Sequence, residues 1–158
     1  MLPLKAILHP TDFSEHSEFA FRLACALARD YNARLILLHV LPTPMVVYDG
    51  GPVPAETWPS VEEAKEELRR MERRTNHVRI ESTVMEGDPV EMILRAAEET
   101  NSDVIVMGTH GRTGLRRLLM GSVAEGVGRK APCSVLTARA PRTADSAALL
   151  AAEETART

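Results

Sequence analysis

Residues 103–111 read Asp103-Val-Ile-Val-Met-Gly-Thr-His-Gly111, and after nine further residues the chain reads Gly121-Ser122. The continuous apolar run from Val104 to Met107 suits a strand buried on both faces, and such strands belong to parallel sheets covered by helices on each side. The glycines that follow leave backbone N–H groups uncovered, and Ser122 with Glu125 has the capping-box spacing of a helix start. A strand emptying into bare amides and a helix N-terminus suits a phosphate. His110, Arg112, Arg116 and Arg117 crowd the same loop in a chain whose formal net charge is -3, and a local cationic cluster on an acidic background favours an anion. The competing reading is that these glycines are only turn residues.

Outward from this stretch, runs of strand length recur at residues 4–8, 34–40, 78–84 and 133–137. The segments between them carry helical spacing. Ala20, Leu23, Ala24, Leu27, Ala28 and Tyr31 share one face, as do Val61, Ala64, Leu68 and Met71, then Val90, Ile93, Leu94 and Ala97, then Val123, Ala124 and Val127. Ser60 with Glu63 and Asp88-Pro89 with Glu91 repeat the capping-box signal, and Asn32 suits a left-handed stop. Strand and helix in alternation predict an open α/β sandwich: five parallel strands, right-handed crossovers and helices on both faces. The third strand alternates Val78, Ile80, Ser82 and Val84 with Arg79, Glu81 and Thr83, which predicts an edge position.

The 158 residues fit one domain, read as 1–139, with a tail over 140–158 that is mobile or weakly helical. Hydrophobic residues make up 44% and charged residues 26%, an ordinary globular composition. No run approaches the roughly 20 apolar residues of a membrane span, and the N-terminus enters a strand at once, so the expectation is a cytoplasmic protein without membrane contact. The acidic balance argues against nucleic-acid binding. Cys25 and Cys133 lie far apart, without metal or disulfide spacing. Residues 41–57 hold Pro42, Pro44, Gly50, Gly51, Pro52 and Pro54, and read either as a flexible cover near the site or as a surface insertion.

In open α/β sheets ligands bind beyond the carboxyl ends of the strands, where strand order reverses. After the first strand stand Pro10-Thr-Asp-Phe-Ser14. Asp12 fits two roles there: accepting from a ribose hydroxyl, or capping the next helix with Glu15 at its third position. Ser122 likewise fits a phosphate contact or a cap that accepts from the N–H of Glu125. Val40 and Met107 end the second and fourth strands and offer apolar contact to a flat base, or are simply core.

The spacing Gly108-x2-Gly111-x9-Gly121-Ser122, preceded by Pro10-Thr-Asp-Phe-Ser14, resembles the ATP-binding branch of the universal stress protein family, and the resemblance runs from about Leu4 to Thr137. It implies a five-stranded parallel sheet in the order 3-2-1-4-5, of the adenine nucleotide alpha hydrolase-like kind, and a homodimer formed through the last strand. It also implies a nucleotide-dependent regulatory module in stress response, with ATP (or AMP or ADP) as cofactor and Mg2+ bound through the phosphates. Carried over by position, Asp12 would hold the ribose or adenine end with Pro10 and Thr11, and Val40 would contact adenine. Met107 and Gly108 would line the ribose side, and Gly111 would let the triphosphate approach the backbone. Gly121, Ser122 and Val123 would hold phosphates with their N–H groups, within reach of His110 and Arg112. Ala124, where the family often has a hydroxyl, and Ser134, where a proline often follows the cysteine, depart from its pattern.

Rival classes differ in what they require. A P-loop needs G-x4-G-K-[ST], which does not occur. A receiver domain needs an acidic cluster and a lysine after the last strand, where Arg139 stands, and related ATP pyrophosphatases carry Ser-Gly-Gly where this chain has Pro10-Thr11-Asp12. Slow Mg-dependent ATP hydrolysis at the same site is the enzymatic alternative, because Asp12 or His110 could orient a water. A dimeric interaction protein that needs no nucleotide is the third class.

Overall fold

Apolar strands that must bury both faces dictate a central sheet, and in the computed structural model that sheet is parallel and five-stranded, in the order β3-β2-β1-β4-β5. The described residues are 3–43, 58–109 and 120–139. In chain order the elements are β1 (Ala6–Pro10), α1 (Glu15–Tyr31), β2 (Arg34–Leu41), α2 (Val61–Arg73), β3 (Arg79–Glu86), α3 (Pro89–Glu99), β4 (Val104–Gly108), α4 (Ser122–Lys130) and β5 (Ser134–Ala138). The long loop read over 41–57 lies outside the described residues from 44 onward, and the C-terminal tail over 140–158 lies wholly outside them.

Alternation along each strand builds two hydrophobic layers. Ile7, Leu35, Leu37, Val104 and Val106 pack with Phe21, Ala24, Leu68 and Met71 beneath α1 and α2. Leu8, Ile36, Leu38, Ile105 and Met107 pack with Ile93, Ala97, Ala124 and Val127 beneath α3 and α4. β3 is indeed an edge strand: Arg79, Glu81, Ser82, Thr83 and Glu86 are exposed, and only β2 pairs with it.

Helix starts follow local chemistry. Ser14 caps α1 by accepting from Ser17 N at 3.2 Å, and Asp88 caps α3 by accepting from Glu91 N at 2.9 Å behind Pro89. At α2 the box is complete: Ser60 accepts from Glu63 N, and the Glu63 carboxylate accepts from Ser60 N at 2.7 Å. Asn32 ends α1 at φ 53, in the left-handed region.

Three expectations need correction. Ser122 is not a cap: Gly121 holds the extended N-cap geometry (φ -69, ψ 157), its carbonyl accepts from Glu125 N at 2.9 Å, and Ser122 is already the first helical residue. Asp12 does not cap α1 either, because Ser14 does. Tyr31, assigned to the apolar face of α1, is 45% exposed at the helix's last residue. Strand limits also move. The first strand begins at Ala6, not Leu4, because the Asp103 carboxylate takes Lys5 N at 2.7 Å and Ala6 N at 2.9 Å ahead of the ladder. Those two N–H groups hold the Asp103 carboxyl below the usual range.

β1 pairs with β2 from Ala6↔Arg34 to Pro10↔Leu38, but with β4 only at Ile7↔Val104 and Leu8↔Ile105. Residues of β1 address their neighbours alternately: the Ala6 carbonyl accepts from Asp103 N at the foot of β4, and Thr11 N donates to Leu38 O on β2. Pro10 therefore faces the β4 side without an N–H to give, and the ladder between β1 and β4 stops short of the strand end. At the end of β4, Gly108 makes room for α1. A Cβ there would lie 3.1 Å from the His16 carbonyl oxygen and 3.2 Å from its carbon.

Cys25 and Cys133 are free and half-buried, and burial pushes the Cys25 thiol up to about 12, which leaves it an unreactive packing group. Among the described residues no helix is long and apolar enough to cross a membrane.

His9 is wholly buried, its ring 5.8 Å from that of Phe21 and its Nδ1 2.8 Å from the Val106 carbonyl, while Nε2 has no hydrogen-bond partner. Desolvation lowers its pKa to about 4, against smaller upward pulls from the Val106 carbonyl, Glu18 and Asp12. Between pH 6.5 and 4 the unfolded chain binds this proton and the folded chain does not, so stability falls as pH drops through that window. The loss attributable to His9 should reach about 3 kcal/mol. In urea unfolding at pH 7.5 and 4.5, His9→Leu should lose less stability than the natural chain; equal losses would refute the assignment. Gly108→Ala should cost about 1–3 kcal/mol, seen as a drop of several degrees in the melting temperature, because α1 backbone must move.

Candidate functional site

β1 continues through α1 to β2 on one side, whereas β4 lies on its other side, so strand order reverses between β1 and β4. This is the point at which α/β sheets open a crevice. Pro10 ends β1 there, followed by Thr11 and Asp12, while Gly108 ends β4 and is followed by Thr109. Gly121 joins them: its N–H donates to the Thr109 carbonyl at 2.6 Å, and Thr109 N donates to Ala138 O at 3.1 Å. The start of α4 is thus tied to the end of β4, and residues ten or more apart in sequence meet in space.

The N-terminus of α4 differs from those of the other three helices. A glycine offers no side-chain oxygen, so nothing on the N-cap residue itself satisfies the first-turn amides of Ser122 and Val123. Their partial positive charge is aimed at the end of the sheet, as suits an anion. Ser122 is exposed and Gly121 half-buried. Val40, Met107 and Val123 converge on the hydrophobic layer under α3 and α4, with Met107 buried and the two valines partly covered. His110, Gly111 and Arg112 lie outside the described residues. Among the described residues no three His, Cys, Asp or Glu side chains converge as metal ligands.

The turn carrying Asp12 is tightly bonded. Asp12 Oδ1 accepts from Ser14 N at 3.0 Å, Thr11 Oγ1 accepts from Phe13 N at 3.1 Å, and Ser17 Oγ donates to Thr11 Oγ1 at 2.7 Å. Phe13 sits at φ 63, in the left-handed region, and its ring stacks on that of His39 with centroids 4.4 Å apart. His39 Nδ1 lies 2.8 Å from the Thr11 carbonyl. Neither Phe13, His39 nor Thr109 stands out in the sequence as a site residue. His39 interrupts an apolar run of β2, and a histidine in such a place needs a polar partner; that was the one available signal, and it does not say which partner.

A second groove, of about 280 Å3, opens between α1 and α2 and includes Phe13, Glu18, Glu67, Arg70 and Arg74. Its charges are matched internally. Arg74 grips both oxygens of Glu18 at 2.9 and 2.8 Å, and Arg70 meets Glu67 at 2.7 Å.

Residues 3–139 match the Universal stress protein family. Universal stress protein MJ0531 of Methanocaldococcus jannaschii is 36% identical over 146 residues, covering 87% of this chain and 84% of that protein. Among solved structures, that of the hypothetical protein MJ0577 superposes with a TM-score of 0.73 at 28% identity, covering 90% of this chain and 100% of the other. The universal stress protein from Archaeoglobus fulgidus in complex with dAMP gives a TM-score of 0.61 at 26% identity, covering 87% and 98%. The sheet order, the crevice at its reversal point and these matches agree: the chain belongs to the universal stress protein family, with the adenine nucleotide alpha hydrolase-like fold.

Proposed function

We propose that this chain is an ATP-binding regulatory module of the stress response, acting in the cytoplasm as a homodimer. The observation that carries the reading is that, on the adjacent strands at the reversal point of the sheet, β1 runs into the Asp12 turn and β4 runs into Thr109, which holds an α4 N-terminus that has only a glycine as its cap. A relative with this fold is a complex with dAMP, which supports an adenine nucleotide as the ligand. Asp12, with Pro10 and Thr11, takes the ribose or adenine end, Val40 rests against adenine, and Met107 and Gly108 line the ribose side. The N–H groups of Gly121, Ser122 and Val123 receive the phosphates, with Gly111 allowing close approach and His110 and Arg112 adding charge from their loop. Mg2+ accompanies the phosphates. ATP hydrolysis is at most slow in this scheme, because Asp12 is engaged at the nucleoside end, away from the γ-phosphate, where a water would need orienting.

Support for the dimer comes from β5, which is an edge strand carrying Leu136 at 39% exposure. An edge strand with a large apolar side chain is a natural pairing surface.

Gly121 has φ -69, a backbone conformation that any residue can adopt, so Gly121→Asp introduces a carboxylate among the phosphates without straining the chain. Calorimetric titration with ATP and Mg2+ should show binding to the natural protein and none to this variant, with far-UV dichroism unchanged; equal affinities would defeat the reading. Leu136→Asp should convert the dimer to a monomer in sedimentation equilibrium while leaving ATP binding in place.

A further inference from the structure

We propose that His39 is a positioning residue for the nucleotide site, holding Asp12 in place through the turn formed by residues 11–14; this rests on the nucleotide reading above. His39 is buried at 3% exposure on β2, on the sheet face covered by α1 and α2. Val40, its neighbour, points to the opposite layer, where the base is assigned. His39 thus acts through other residues and not by contact with the ligand.

Its grip has two parts. A carbonyl can only accept, so Nδ1 carries the proton in the 2.8 Å contact with the Thr11 carbonyl. Thr11 is then held by β2 on both of its backbone groups, because its own N–H already donates to Leu38 O at 2.8 Å. The second part is the ring. Phe13 occupies φ 63, a region that strains a bulky side chain, and a conformation of that kind persists only when its surroundings over-determine it. The imidazole supplies that restraint by stacking under the Phe13 ring at a 26° interplanar angle. The bonds from Phe13 N to Thr11 Oγ1 and from Ser14 N to Asp12 Oδ1 close the turn from the other side.

Asp12 therefore lies between two residues that His39 fixes, one by its carbonyl and one by its ring. A carboxylate that must meet hydroxyl groups within hydrogen-bond distance gains from such fixing, since small displacements of a positioned group weaken binding sharply. The groove between α1 and α2 is lined by Thr11, Phe13 and Ser14 as well, so open space lies beside the turn for an unanchored Phe13 to swing into.

The test uses three variants of the full chain: His39→Leu, which keeps the volume and loses donor and ring; His39→Asn, whose side-chain amide can reproduce the donor at Nδ1; and Phe13→Gly, which adopts the positive φ without strain but removes the stacked ring. ATP dissociation constants are measured by calorimetry beside urea unfolding curves, so that a loss of affinity can be compared with any loss of fold. His39→Leu should bind ATP at least tenfold more weakly while unfolding cooperatively, and His39→Asn, which restores the donor but not the ring, should recover part of that loss. Phe13→Gly, which keeps His39 and removes only a partly buried side chain should His39→Leu fail to fold, should bind several-fold more weakly. Natural affinity in folded His39→Leu or Phe13→Gly would overturn the inference, as would equal weakness of His39→Asn and His39→Leu. A natural protein that binds neither ATP nor AMP would instead overturn the nucleotide reading, and this one with it.

Discussion

β1 is bonded along one edge to its end and along the other only part of the way, and the rest of the architecture is arranged around that asymmetry. A parallel strand must satisfy both edges alternately, so a residue without an N–H at Pro10 releases the β4 side while the β2 side continues through Thr11. The divergence begins where the chain order of the sheet reverses, so the ends of both β1 and β4 border the opening. Everything that reads as recognition, the Asp12 turn on one flank and the bare start of α4 on the other, hangs from the last bonded residues of β1 and β4.

The two flanks are stiffened by different means. On the β4 side Gly121 is held through main-chain bonds, first to Thr109 and then into its own helix. On the β1 side the turn relies on side chains: Thr11, Asp12, Ser14 and Ser17 bond among themselves, and His39 and Phe13 stack behind them. The apolar lining, in turn, comes from the layer under α3 and α4. Both sheet faces thus contribute to a single opening, which is why the opening sits at the end of the sheet and not on either face.

Much of this was legible in the sequence. Stretches such as 35–38 and 104–107 are apolar without interruption because helices cover both their faces, and β3 reveals its edge position by alternating with charge. Ser60 and Asp88 mark their helices because the capping chemistry is local and involves residues three apart. Ser122 misled because the same local pattern occurs one residue too late: the tertiary bond from Gly121 to Thr109 fixes the helix start, and no window of neighbouring residues contains it. Gly108 illustrates a similar limit. In the sequence it reads as one of several glycines that leave backbone amides uncovered; the closest atoms to a Cβ there belong to the backbone of α1, which no local pattern announces. His9 and His39 were opaque for the same reason, since their partners are carbonyls distant in sequence, Val106 on β4 and Thr11 in the turn after β1.

The outer side of β3 has a consequence for behaviour at high concentration. Glu81 there is shared between Arg34 and Arg79, at 3.2 and 3.3 Å, and the strand's neighbouring positions are polar and open to solvent. A foreign peptide laying itself along this rim would have to strip water from guanidinium and carboxylate groups before gaining any main-chain pairing. Crowded copies of the protein are accordingly kept from zipping together into open-ended ribbons along that rim, although eight residues of extended chain are presented there.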